Sequence, residues 1–340
     1  MQMTQSQEKR RGLSDRQLNR LIAGVVVALV IIVPLIGIIY FFDRSADPGP
    51  SMAQRAVTSA EEAVRKEPNN VGARMALATS YVAGQRYQDA VAQYSEVLKV
   101  VPDHHGALLG RGNAYLMLKD DASASKDFEQ LVNVAKGGEQ AIADPQLEEA
   151  YYRLGDIALR AGRYDKAITD LNAALAISRT DADAMNLLGA ALVKTGKAKE
   201  AIPVLQRAIS FVPVGWCDPY QTLATAYTAL GDVDGTAYAN GMVAFCGGDL
   251  ETAKQALTPL TGGALAIEAL LGLGQIAEQQ GDVAAATDAY TQVLAKDPQN
   301  ANAIFGLQRL GTASGDPHGS AVPAAASSAP VASPSTGVNP

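Results

Sequence analysis

The chain has 340 residues, 48% of them apolar and 19% charged, with a net charge of −7 at neutral pH. Residues 1–20 hold five Lys or Arg against two acidic side chains, a net +3, so the remainder carries −10. An acidic body lacks the basic face that nucleic-acid binding needs, two cysteines are too few for a disulfide-built scaffold, and three histidines leave little for a metal site.

Residues 1–20 are polar and basic, and no fold is expected there. Residues 21–42, LIAGVVVALVIIVPLIGIIYFF, contain no charge. As a helix they would reach roughly 33 Å, enough to cross a hydrocarbon core. A cleaved signal peptide has a shorter apolar run with a small-x-small site close behind it. The nearest such site, Ser51-Met52-Ala53, lies well beyond the run, and a buried core helix is rarely apolar all round. The segment therefore reads as an uncleaved signal-anchor, a single transmembrane helix. Five basic residues precede it and two, Arg44 and Arg55, follow closely. The positive-inside rule then puts the N-terminus in the cytoplasm and the rest of the chain outside it, on a cell membrane. Gly24 and Ala28 form a small-xxx-small pair through which two anchors could dimerise. Residues 43–50, DRSADPGP, read as a linker.

From 51 to 311 the chain reads as helical, with apolar residues at spacings of three and four. Ala167, Leu171 and Ala174 return as Ala201, Leu205 and Ala208, each 34 residues later. Gly155 and Gly162 return as Gly189 and Gly196 at the same interval, and Tyr81, Ala90 and Tyr94 as Tyr115, Ala124 and Phe128. A fixed period of this length is the mark of a helical repeat array, each period being two helices split at a turn such as Ala83-Gly84-Gln85-Arg86 or Ala161-Gly162-Arg163. Two intervals depart from it. Ala124 to Ala167 is 43, the surplus lying in a Gly- and Pro-bearing loop at 136–146. Pro213 to Pro298 is 85, and an extra helix is predicted near 218–230, its pairing left open. Residues 312–340, rich in Ala, Pro and Ser, read as a disordered tail.

The spacing resembles the tetratricopeptide repeat (TPR) family. Tyr151, Leu154, Gly155, Gly162, Tyr164, Ala167, Leu171 and Ala174 follow its signature. So do Leu188, Gly189, Gly196, Ala201, Leu205, Ala208 and Pro213, and again Leu270, Leu273, Gly274, Gly281, Ala286, Tyr290 and Pro298. The resemblance implies an all-α solenoid of about six to seven repeats over 51–311, with the first helix of each pair lining an inner surface. By the same resemblance the ligand-facing positions are Met75, Thr79, Leu109, Asn113, Leu116, Tyr152, Asp156, Arg160, Asn186, Ala190 and Lys194. Asn113, Asn186 and Tyr152 would hydrogen-bond an extended peptide, and Met75, Leu109 and Leu116 would hold its apolar side chains. The cationic set with which some members clamp a C-terminal carboxylate is not evident.

Consecutive helices of such an array run antiparallel, so Cys217, ahead of one helix, would stand near Cys246 at the end of the next. Two readings follow: a disulfide stapling this hairpin, or two buried thiols acting as small apolar residues. His104-His105 at an inter-repeat turn lacks a third ligand and reads as solvated. No nucleophile elbow, phosphate loop, zinc motif or haem-attachment motif occurs, so neither a catalytic residue, a metal nor a cofactor is expected. The expected function is that of a membrane-tethered adaptor, not an enzyme, which binds protein or peptide partners and supports assembly of an envelope complex. The alternative is an assembly chaperone presenting apocytochrome to haem-attachment machinery in c-type cytochrome biogenesis.

Overall fold

The computed structural model describes residue 23 and residues 29–36, 51–212 and 215–313. Residues 29–36 are helical. Among the described residues no helix is long and apolar enough to cross a membrane. This corrects the expected single-pass anchor, and with it the cytoplasmic N-terminus, the extracytoplasmic array and the pairing of two anchors. The expectation rested on the hydropathy of the whole of 21–42, of which residues 23 and 29–36 are described. The remainder of that run, including Gly24 and Ala28, lies outside the described residues, as do 1–20, the linker and 314–340.

The chain divides into two compact units, Met1–Pro68 and Asn69–Pro340. The first contains helix α1, Met52–Lys66. Its start is fixed by a capping box. Ser51 Oγ accepts the Gln54 amide at 3.2 Å, and the Gln54 side chain accepts the Ser51 amide at 2.7 Å. Arg65 and Lys66 close its last turn, where cations complement the helix dipole.

The second unit is a run of helical hairpins with no strand among the described residues. Four regular pairs come first: α2 Val71–Ala83 with α3 Tyr87–Val100, α4 His105–Met117 with α5 Asp121–Ala135, α6 Pro145–Arg160 with α7 Tyr164–Ile177, and α8 Ala182–Lys194 with α9 Ala198–Phe211. Asn70, Asp120 and Asp181 each stop the preceding turn by accepting an amide three residues on. Such caps contribute about 1 kcal/mol each. Every hairpin bends through one left-handed residue: Gln85, Lys119, Gly162 and Gly196, with φ of 58°, 61°, 72° and 77°.

The 34-residue pattern is the contact between the two helices of a pair. A Cβ on Gly155 would lie 2.6 Å from Leu171 Cγ, and one on Gly189 2.5 Å from Leu205 Cγ. The glycine admits the leucine. Leu171 and Leu205 are fully buried, as are Ala167, Ala174, Ala201 and Ala208, and each leucine contributes about 1.5–3 kcal/mol of transfer free energy. The surplus is a loop at 136–144 with a single 3-10 turn, Ala141–Ala143, and it adds no α-helix to the stack, while Pro145 and Gln146 already open α6.

After α9 the order changes. Helix α10, Asp218–Leu230, packs on α9 behind it and α11, Val233–Cys246, ahead. Next come a short α12, Leu250–Leu257, and a 3-10 turn, Thr258–Gly262. They are followed by the pair α13 Ala266–Gln280 and α14 Val283–Lys296, and by α15 Ala301–Ala313. Helix α11 serves two neighbours. It is the second helix of a pair with α10, where a Cβ on Gly235 would lie 2.2 Å from Tyr227 Cδ1. It is also the first helix of a pair with α12, where a Cβ on Gly241 would lie 3.0 Å from Ala256 Cβ. Cys217 and Cys246 are joined, with Cα atoms 5.8 Å apart, and bind the start of α10 to the end of α11. One buried cluster continues through this change, from Ala158 and Leu171 by Leu205 and Tyr227 to Leu257 and Ile276.

Candidate partner-binding face

The first helices touch one another in succession, α2 to α4, α4 to α6, α6 to α8 and α8 to α10. They line one face of the unit. On each, the residues three before and one after the small residue at the helix crossing fall on this face: Leu109 and Asn113 about Gly112, Tyr152 and Asp156 about Gly155, Asn186 and Ala190 about Gly189.

Met75, Leu109 and Leu116 are half-buried there. Thr79 is exposed and donates to the Met75 carbonyl at 2.9 Å. The centre of the face is polar. Asn113 Nδ2 donates to Glu149 Oε1 at 3.1 Å, and the same carboxylate pairs with Arg153 at 3.2 Å. The Arg153 guanidinium stands 5.4 Å from the centre of the Tyr152 ring. Asp156 and Arg160 form an ion pair at 3.2 Å, which Arg160 extends to Asp121 on α5 at 2.6 Å. Lys194 is exposed at the far end of α8. Asn186 Oδ1 and Arg153 Nε are buried without a hydrogen-bond partner. The site residues inferred from the sequence thus separate into an apolar set on α2 and α4 and a polar set on α4, α6 and α8.

Glu148, Glu149, Asp181 and Asp183 make this centre acidic. Burial, then a hydrogen bond with Asp181 and the charges of Asp181 and Glu149, pushes the Glu148 carboxyl up to about 8. Glu148 Oε1 has no donor. Two facing carboxyls share a hydrogen bond only when one keeps a proton, and Asp181 already accepts the Ala184 amide at 3.0 Å. Burial, then Asp183, pushes the Tyr152 hydroxyl up to about 12, so it remains a donor. The raised Glu148 has a testable sign. The folded chain holds a proton that the unfolded chain releases above about pH 4.5. The resulting stability is complete below that pH and is lost as pH rises towards about 8. With partial solvation discounted, wild type should lose about 1–2 kcal/mol between pH 5 and 8 relative to Glu148→Gln. Urea unfolding of both proteins at the two pH values measures this, and parallel pH curves would refute it.

The sequence pattern missed the continuation of this face past Lys194. Tyr220 on α10 follows Asn186 by one period. Tyr238 and Met242 stand three before and one after Gly241, and Leu271 and Gln275 stand likewise about Gly274. Those offsets were a sufficient signal, obscured because α11 belongs to two pairs. These residues line a cavity of about 170 Å³. At the other end of the array, the two neighbouring histidines diverge. His104 Nδ1 accepts the Ala107 amide at 3.1 Å as a helix cap, and His105 lies 3.9 Å from Asp144.

The chain is 28% identical over 153 residues to the PEX5-related protein of Mus musculus, a match covering 43% of this chain and 26% of that protein. It is 27% identical over 175 residues to a putative cellulose synthase operon protein C of Escherichia coli O157:H7, covering 48% of this chain and 15% of that one. The chain thus spans only about a quarter or less of the length of these relatives. Among solved structures, YrrB, a TPR protein with an unusual peptide-binding site, superposes with a TM-score of 0.50 at 18% identity. The match covers 59% of this chain and 98% of that one. Two profiles of the tetratricopeptide repeat match, one over residues 146–213 and the other over 53–92, 75–145 and 238–301. They cover well over half of the chain, and with the stacked hairpins they place it in the tetratricopeptide-repeat family.

Proposed function

We propose that the inner face of α2, α4, α6 and α8 is a groove for an extended peptide segment, and that the protein is a non-catalytic adaptor holding partners while a complex assembles. Tetratricopeptide-repeat proteins mediate protein–protein interaction, and YrrB carries a peptide-binding site on the same fold. The observation that carries the reading is the polar centre of the face. Asn113, Tyr152, Arg153 and Asn186 bring donors and acceptors to adjacent inner helices, and two of their atoms are buried without a partner. A strand laid along the groove would supply backbone N–H and C=O to the accessible atoms of these side chains, each bond contributing about 0.5–1.5 kcal/mol.

Peptides selected from a displayed random library against the intact chain should bind the double variant Tyr152→Ala, Asn113→Ala at least ten-fold more weakly by fluorescence anisotropy. Unchanged affinity across the selected set would mean that the groove is assigned wrongly.

A further inference from the structure

Up to α8 each repeat gives the inner face a single helix. Beyond it two consecutive helices, α10 and α11, both occupy inner positions: α10 touches α8, and α11 touches α13. Tyr220 from the one and Tyr238 from the other meet edge-to-face, with ring centres 6.1 Å apart and planes at 76°. The doubled helix turns the groove into a pocket, the cavity of about 170 Å³, walled also by Ile209, Met242 and Leu271. A volume of this size corresponds to on the order of ten water-sized sites, room for a long side chain.

The chemistry of the lining is asymmetric. Tyr220 and Tyr238 are buried, and burial raises both hydroxyls, Tyr220 to about 12 and Tyr238 well above the usual phenol range, so both stay neutral. Glu268 is the single charged side chain among the lining residues. No cation pairs with it among the described residues. The amides of Gln206, Asn300 and Asn302 complete the rim.

We infer that this cavity receives the side chain of an arginine or lysine from an extended partner peptide. Its methylenes would lie against the tyrosine pair and Met242, and its cationic head would reach Glu268. An acidic side chain meets like charge. A leucine or methionine would fill the walls but cover the Glu268 carboxylate without pairing it, which is costly in a desolvated site. A long stem with a charged tip satisfies both parts.

The inference rests on the groove reading, and the test separates the two. Among the library-selected peptides, one position should be enriched in Arg or Lys. Its replacement by norleucine, or the substitution Glu268→Gln in the protein, should weaken binding at least ten-fold. Peptides that need Tyr152 and Asn113 but tolerate both of those changes would leave the groove standing and overturn the cationic pocket. A second readout uses no selected peptide. N-acetyl-arginine N-methylamide, added to the intact chain with labelled methionine methyls, should shift the Met242 signal saturably, whereas the norleucine analogue should not. No shift at Met242, or equal shifts from both compounds, would also overturn the proposal.

Discussion

Replacing Cys217 and Cys246 together by serine is expected to lower the unfolding free energy by about 3–4 kcal/mol, the scale for opening a loop of this length. The bonded residues are 29 apart in sequence and enclose α10 and nearly all of α11. Those helices are the place where the repeat order changes, so the bond closes the stretch with the least help from regular stacking. Denaturant titration of wild type, of wild type with reductant, and of the double variant measures the effect. The latter two should coincide, and the variant should be indifferent to reductant. A wild-type midpoint that does not move on reduction would contradict the expectation.

A loss of similar size is expected from Arg111→Met. Arg111 on α4 grips Asp127 on α5 through two bonds, Nη2 to Oδ1 at 2.7 Å and Nε to Oδ2 at 2.8 Å. Its Nη1 donates to Ser95 on α3 at 3.0 Å. Asp127 is only 4% exposed, so removing the guanidinium leaves a carboxylate buried and unpaired. Such a break costs about 3–5 kcal/mol, whereas replacing the whole pair by apolar residues of similar volume is close to neutral. Thermal unfolding should therefore show a large drop for Arg111→Met and recovery of most of it in Arg111→Met with Asp127→Leu. A single variant within about 1 kcal/mol of wild type, or a double variant no better than the single, would show that the pair does not tie the three helices together.

The regular hairpins could be read from the letters because their packing constrains residue size. Gly155 and Gly189 must be small for Leu171 and Leu205 to sit above them, and that requirement repeats with the helices. The turns at Ala83-Gly84-Gln85-Arg86 and Ala161-Gly162-Arg163 were equally legible, although the left-handed residue of the first is Gln85, which has a Cβ, and that of the second is Gly162. The Arg111–Asp127 pair left no mark, since 16 residues of separation mean nothing until two helices are folded against each other. The proposed inner face was assigned by resemblance as far as Lys194 and no further, because α11 satisfies two overlapping periods at once. The apolar run at 21–42 misled in another way: hydropathy reports which solvent a segment would suit, and among the described residues no helix is long and apolar enough to cross a membrane.

The double service of α11 bears on the order in which the array comes together. Each interface of α11 requires a glycine, Gly235 in its first turn towards α10 and Gly241 in mid-helix towards α12. Gly241 makes the isolated helix less favourable by about 1 kcal/mol relative to alanine. Asp232 caps α11 as Asp120 and Asp181 cap their helices, so what sets α11 apart is that both of its glycine-bearing sides must be covered. During assembly it should therefore settle late, as the piece drawn into shape between α10 and α12 once those are already present.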